Sequence, residues 1–219
     1  FASYANAFIS TRSIIVTLSP DLTGVTLTVE TNSEQPVGYT VELKLGHEKY
    51  QWQSKQKELR LELANLQLAD GSLYQPELWT VENPHLYTIT IRTEEDEVES
   101  YFGLRTVTVE EKNGVSRVCL NGKPIFMHGV LDQGYYPEGI YLPAAEIEYE
   151  KDVLRMKELG FNMLRKHIKI EPECFYYYCD LHGMLVVQDM VNNGSYNFIR
   201  DTALPTIGMT KVSDLKKGT

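Results

Sequence analysis

Cysteine is scarce in this 219-residue chain: three residues, Cys119, Cys174 and Cys179, at spacings that match no zinc module. Cys174 and Cys179 fall five apart in a helical stretch, too far round a helix to share a metal, so all three read as small thiols of a reduced compartment. None of the five histidines makes a His-x-x-x-His ligand pair, and no cofactor is expected. Positive charge is in deficit, with 21 Lys and Arg against 30 Asp and Glu and a formal net charge of -9. The basic residues are scattered, which excludes a nucleic-acid partner, because phosphate binding needs a concentrated positive patch. No apolar run approaches the roughly 20 residues needed to span a bilayer, so no membrane partner is expected. The opening Phe1-Ala2-Ser3-Tyr4 lacks an initiator Met and the basic-then-apolar pattern of a signal peptide. It reads as a cut end, and the expected compartment is the cytoplasm.

What is present in the first half is the period-two alternation of half-buried strands. Ser13–Leu18, Val25–Thr31, Tyr39–Leu45, Leu59–Leu63 and Leu86–Ile91 are short runs rich in Val, Ile, Leu and Thr. Breakers such as Ser19-Pro20-Asp21 and Gln35-Pro36 divide them. About seven such runs, spaced about ten residues apart, suit a two-sheet sandwich of roughly 100 residues. Trp79 and Trp52 belong to the sandwich core or its interface.

Near Val107 the pattern changes. Val107–Glu110 and Ser116–Leu120 flank Asn113-Gly114, a strong hairpin signal, and a second turn follows at Asn121-Gly122. Ile125–Leu131 is a largely apolar run, as in a strand buried on both faces. Glu146–Leu159 carries a helical apolar stripe and meets Gly160 where a left-handed cap belongs. Asn162–Arg165 is a short strand. Glu173–Leu181 is a second helix, with Pro172 suited to its first turn and Gly183 as its stop. Met184–Asp189 is the next strand. Strand, helix, strand, helix, strand in about 65 residues describes two right-handed crossovers and a parallel sheet. From Met190 onward the sequence is loop-like, and Lys211–Thr219 reads as unstructured.

Five motifs in order carry a resemblance. Trp79 with Pro84, Leu86 and Tyr87 fits W-x-x-x-x-P-x-L-Y, Phe102–Arg105 fits F-G-x-R, and Leu120–Pro124 fits L-N-G-K-P. Lys157–His167 fits K-x-x-G-x-N-x-x-R-x-x-H with one residue fewer before the His, and Cys179–Gly183 fits C-D-x-x-G. Together they resemble glycoside hydrolase family 2, the β-galactosidases, β-glucuronidases and β-mannosidases, over residues 78–190. The resemblance implies an immunoglobulin-like β-sandwich over residues 1–109 and the N-terminal part of a (β/α)₈ TIM barrel over 110–219, about three strands long. It also implies a fragment of a retaining glycosidase of β-galactosides or related β-glycosides. The family's general acid/base lies in an Asn-Glu pair, and no such pair follows Asp189. By that resemblance both catalytic carboxylates are missing and the chain is inactive alone. A non-catalytic carbohydrate-binding or structural sandwich module is the alternative.

The strand ends carry the candidate sugar contacts, since barrel enzymes place functional groups there. Arg165 is an orienter of a carboxylate or a sugar hydroxyl, or else a structural ion pair. His167 is a sugar contact or a satisfied rim histidine. Asp132 and Asp189 are sugar contacts, or a loop cap and an Asx turn respectively. Lys166 and Lys169 read as solvated. Tyr135, Tyr136 and Tyr141 pack their loop on the sandwich, with a stacking platform for a sugar ring as the other reading. In the run Tyr176-Tyr177-Tyr178 at least one ring should be core. Partners are then a carbohydrate substrate, and other copies of the chain through open barrel edges.

Overall fold

A computed structural model describes residues 14–191 and 198–208. The alternating runs become seven antiparallel strands in two sheets: β1 Ile15–Leu18, β2 Gly24–Thr28, β3 Tyr39–Leu45, β4 Glu48–Ser54, β5 Glu58–Glu62, β6 Tyr87–Arg92 and β7 Glu97–Phe102. One sheet has the order β1-β2-β5, the other β4-β3-β6-β7. Period two sends Val25, Leu27 and Leu61 of the first sheet, and Val41, Leu43, Ile89 and Ile91 of the second, into one shared core. Cross-strand partners are matched in kind: Val41 lies opposite Ile91 and Leu43 opposite Ile89. This is the arrangement of a two-sheet β-sandwich. Trp52 packs against that core from the edge strand β4, as expected.

A hairpin follows, β8 Val107–Lys112 and β9 Val115–Leu120, with the two-residue β10, Lys123–Pro124, on its outer edge. Both of its turns need two consecutive positive φ angles, and Asn-Gly supplies them twice: 55° and 76° at Asn113 and Gly114, 51° and 73° at Asn121 and Gly122.

The third part is β11 Gly129–Asp132, α1 Ile147–Glu158, β12 Met163–Lys166, α2 Glu173–His182 and β13 Leu185–Gln188. Its strands are parallel and in register, with Leu131, Arg165 and Val187 side by side. Both helices cover one face of this sheet, where Tyr149, Val153, Phe175 and Cys179 meet Leu164 and Met184 in a second core. Phe175 is the fully buried ring of α2; of the tyrosine run, Tyr176 and Tyr178 pack partly buried against this core and Tyr177 is exposed. The other face of the sheet is open.

That openness corrects the reading of Ile125–Leu131 as a strand buried on both sides. Only its last three residues are strand; Phe126 is 81% and Leu131 51% exposed. Before the strand, the Asn162 side chain takes a neighbour's place: its amide donates to the Phe126 carbonyl at 2.9 Å and its oxygen accepts from His128 N–H at 2.8 Å. The loop-like reading from Met190 also needs amending, because Ile199–Thr206 is helical. Lys211–Thr219 lies outside the described residues.

Sandwich and parallel sheet are joined through α2. The Trp79 indole N–H donates to the Asp180 carbonyl at 2.7 Å, Tyr101 OH to Asp180 Oδ2 at 3.1 Å, and Arg105 Nη2 pairs with Asp180 Oδ1 at 2.7 Å. The Arg105 guanidinium lies 4.3 Å from the Trp79 ring centroid. Below, Lys157 Nζ donates to the carbonyls of Val81 at 2.9 Å and Gly183 at 3.2 Å.

Gly160 and Gly183 both end helices with positive φ, 87° and 72°, but their surroundings differ. A Cβ at Gly160 would meet nothing within 4 Å, whereas one at Gly183 would lie 2.3 Å from the Val81 carbonyl oxygen. Gly160→Ala should therefore cost only the left-handed backbone penalty of about 1–2 kcal/mol. Gly183→Ala should cost roughly 1–3 kcal/mol more, because the sandwich wall must shift. Urea unfolding of the two variants checks this; equal losses would mean that the contact with Val81 is not tight.

Candidate functional site

The C-terminal ends of β11, β12 and β13 bring polar residues to one edge, and alternation sorts them onto two faces. Leu131, Arg165 and Val187 point to the open face; Asp132, Lys166 and Gln188 point to the helices. On the open face Arg165 grips Asp189 with both prongs, Nε to Oδ1 at 3.0 Å and Nη2 to Oδ2 at 3.0 Å. The fork geometry fixes both side chains while their outer edges stay in solvent.

The helix face carries a buried ion cluster. Lys166 Nζ lies 2.8 Å from Asp132 Oδ2 and 2.7 Å from Glu171 Oε1, and Lys169 Nζ is 2.9 Å from the same Glu171 oxygen. The side chains of Lys166 and Glu171 are 1% and 0% exposed. Tyr149 OH donates to Glu171 Oε2 at 3.3 Å, and the Lys166 ammonium sits 4.9 Å over the Phe175 ring. Burial pushes the Tyr149 hydroxyl pKa up, and the Glu171 charge adds to this. Two cations face two anions, so the cluster is neutral as a whole, the condition under which buried charge is tolerated.

The reading of Lys166 and Lys169 as solvated is thus overturned. The signal was available in part: Lys166 stands two residues after Leu164 in one strand and must share its buried face. What the sequence did not reveal was the partner, Glu171, which no motif singled out.

The cluster also shapes the loop after β11. Asp132 Oδ1 accepts from Gly134 N–H at 2.7 Å, and Lys169 Nζ donates to the Gly134 carbonyl at 2.7 Å and to that of Tyr141. Tyr136 and Ile140 exchange backbone hydrogen bonds of 3.0 and 2.9 Å, closing the loop tip. Tyr136 turns inward, edge-on to Tyr149 of α1 at 5.7 Å. Tyr135 and Tyr141 turn outward with ring centroids 5.5 Å apart. The loop therefore packs on α1 rather than on the sandwich. His167, whose N–H donates to the Asp132 carbonyl at 2.9 Å, lines a cavity of about 290 Å³ with Gln133, Tyr135, Tyr141, Ile168 and Lys169.

Of the four sequence-selected residues, then, Arg165 and Asp189 meet on the open face. His167 stands at the cavity beside it. Asp132 faces the helices, engaged by Lys166 and its own loop. Among the described residues no group of three or more His, Cys, Asp or Glu could hold a metal, and no helix is long and apolar enough to cross a membrane.

This two-sheet β-domain followed by a parallel sheet has counterparts among known proteins. Residues 7–105 match the model of glycosyl hydrolases family 2. Among curated proteins, the β-galactosidase of Pectobacterium atrosepticum is 34% identical over 122 residues, and that of Staphylococcus xylosus 29% over 117. These matches cover 52% and 53% of this chain and 11% of each relative. Among solved structures, a β-glycosidase from Bacteroides vulgatus superposes with a TM-score of 0.67 at 20% identity, over 88% of this chain and 25% of that one. The β-glucuronidase of Faecalibacterium prausnitzii gives 0.66 at 23%, over 84% and 28%. The chain thus spans about a tenth of the curated relatives and about a quarter of the solved chains, whose likeness is one of fold.

The ion cluster makes a quantitative prediction. Lys166→Met should leave Asp132 and Glu171 without their shared cation and destabilise the chain by about 3–5 kcal/mol. Arg165→Ala, which breaks a pair at the solvent edge, should cost less than about 1 kcal/mol. Chemical denaturation separates the two; similar losses would mean that the buried cluster contributes no more than a surface pair.

Proposed function

We propose that this chain supplies part of the substrate site of a retaining glycoside hydrolase acting on β-galactosides or related β-glycosides. In this reading residues 1–109 are an immunoglobulin-like sandwich and 110–219 the first three strands of a (β/α)₈ barrel. The observation that carries it is the shared edge: three parallel strands in register end together in Asp132, the Arg165 to His167 segment and Asp189, where a barrel keeps its chemistry. Arg165 and Asp189 form the sugar-facing pair, with donors and acceptors already oriented. His167 borders the sugar, and Asp132 acts from behind, through Lys166 and the loop.

The chain by itself is inactive in this proposal. Retaining cleavage requires two carboxyl groups about 5–5.5 Å apart across the glycosidic oxygen. Asp189 is bound by Arg165 on one face and Asp132 by Lys166 on the other, so neither is free to serve as acid or nucleophile opposite the other. The open strands β11 and β13 at the two edges of the sheet support self-association as well.

A sandwich-borne carbohydrate-binding module fits less well. The outward residues of the four-stranded sheet include Glu42, Lys49, Gln51, Gln53, Thr90 and Arg92, which are charged or polar. Its outward ring, Tyr101, is spent on α2, 5.1 Å from Tyr177 and hydrogen-bonded to Asp180.

With p-nitrophenyl β-galactoside, β-glucuronide and β-mannoside, the 219-residue chain should release no nitrophenol above the uncatalysed rate. Turnover at enzyme-like rates would refute the assignment of catalysis to residues not in this chain. Sedimentation velocity should show concentration-dependent association; a strict monomer would remove the edge-pairing part.

A further inference from the structure

The loop after β11 is more constrained than a surface connection needs to be. Two β-branched residues around it hold positive φ: Ile140 at 60°, closing the loop tip, and Ile168 at 50°, in the segment after β12 on the cavity wall. Such conformations persist only where the surroundings over-determine them, and they gather at ligand sites. Here the surroundings are the ion cluster. Lys169 spends its ammonium on Glu171 and the carbonyls of Gly134 and Tyr141, fixing both ends of the segment that presents the two tyrosines.

What this rigid frame displays is a pair of rings facing each other, with the Lys169 ammonium 5.9 Å from the Tyr141 centroid. Tyr135 and Tyr141 are each 59% exposed, tilted by 45° to one another, over a cavity of about 290 Å³. Around them stand polar groups that are not consumed: the ring nitrogens of His167 and the side-chain amide of Gln133 have no hydrogen-bond partner among the described residues. Exposed aromatic faces, a concave floor at the small end of ligand pockets, and a few convergent unpaired donors and acceptors are what a single pyranose ring requires. Its C–H face stacks on an aromatic ring, and its equatorial hydroxyls reach the imidazole and the amide.

We propose that Tyr135 and Tyr141, with Gln133 and His167, form a pyranose subsite distinct from the Arg165–Asp189 pair, taking a second sugar unit of the substrate. The inference rests on the glycosidase reading for the direction in which the substrate lies. Ion-cluster burial explains why the site is preformed rather than assembled on binding.

The test is saturation-transfer NMR and titration of the 219-residue chain with lactose at millimolar concentration, with Tyr135→Ala, Tyr141→Ala and Arg165→Ala as variants. Circular dichroism checks that each variant folds. Either tyrosine change should weaken binding roughly 3- to 10-fold, the range for loss of one aromatic contact. Tyr135→Phe should bind as the parent does, since the ring face and not the hydroxyl makes the contact. No binding by the parent chain, or equal binding by the parent and both alanine variants, overturns the subsite. Loss with Arg165→Ala but not with the tyrosines also overturns it, while leaving the proposed function standing. Loss with the tyrosines and none with Arg165→Ala keeps the subsite and counts against the sugar-facing role of Arg165.

Discussion

The Asp180 residue receives three groups from the sandwich side, and the relation between the sandwich and the parallel sheet follows from it. Its carboxylate binds Arg105 and Tyr101, its carbonyl binds the Trp79 indole, and the guanidinium of Arg105 closes the arrangement over that indole. Burial raises the Tyr101 pKa, and the Asp180 charge raises it further, so this hydroxyl remains a donor throughout the physiological range. Because Asp180 belongs to α2, and α2 packs on β12 and β13, holding this one residue holds the strand tips that carry Arg165 and Asp189. The tryptophan and arginine motifs of the sandwich and the Cys-Asp motif of the helix are thus three parts of one contact.

Parts of this were legible in the chain of letters and parts were not, for definite reasons. Period-two alternation located the strands whose inner residues are aliphatic, and Asn-Gly located both turns where two positive φ angles are needed. Gly160 and Gly183 marked the helix ends because no other residue takes that conformation so cheaply. Strands β4 and β7 gave a weaker signal, since Glu-Lys-Tyr-Gln-Trp-Gln-Ser and Glu-Val-Glu-Ser-Tyr-Phe mix polar and aromatic residues on the inward side. Contacts between residues distant in sequence, Trp79 with Asp180 or Lys166 with Asp132, leave no local periodicity, so the latch and the ion cluster became visible only in three dimensions.

Alternation also explains how the candidate residues are arranged. Reading polar residues after apolar strands picks out one edge of the sheet, and that edge has two sides. Arg165 and Asp189 lie toward the open side, and Asp132 lies with Lys166 toward the helices. The same side chains therefore divide into those on the open face and those that hold the frame.

Gly134 shows how far that frame restricts change. A single methyl group on this residue would lie 2.2 Å from Glu171 Oε1 and 2.8 Å from both lysine ammonium groups, inside the ion cluster itself. Evolution can neither enlarge this position nor slide it by inserting a residue after Asp132 without expelling a charge into apolar surroundings. Change in this loop is accordingly channelled outward, to exposed tip positions such as Pro137 and Glu138, above a foundation that stays fixed.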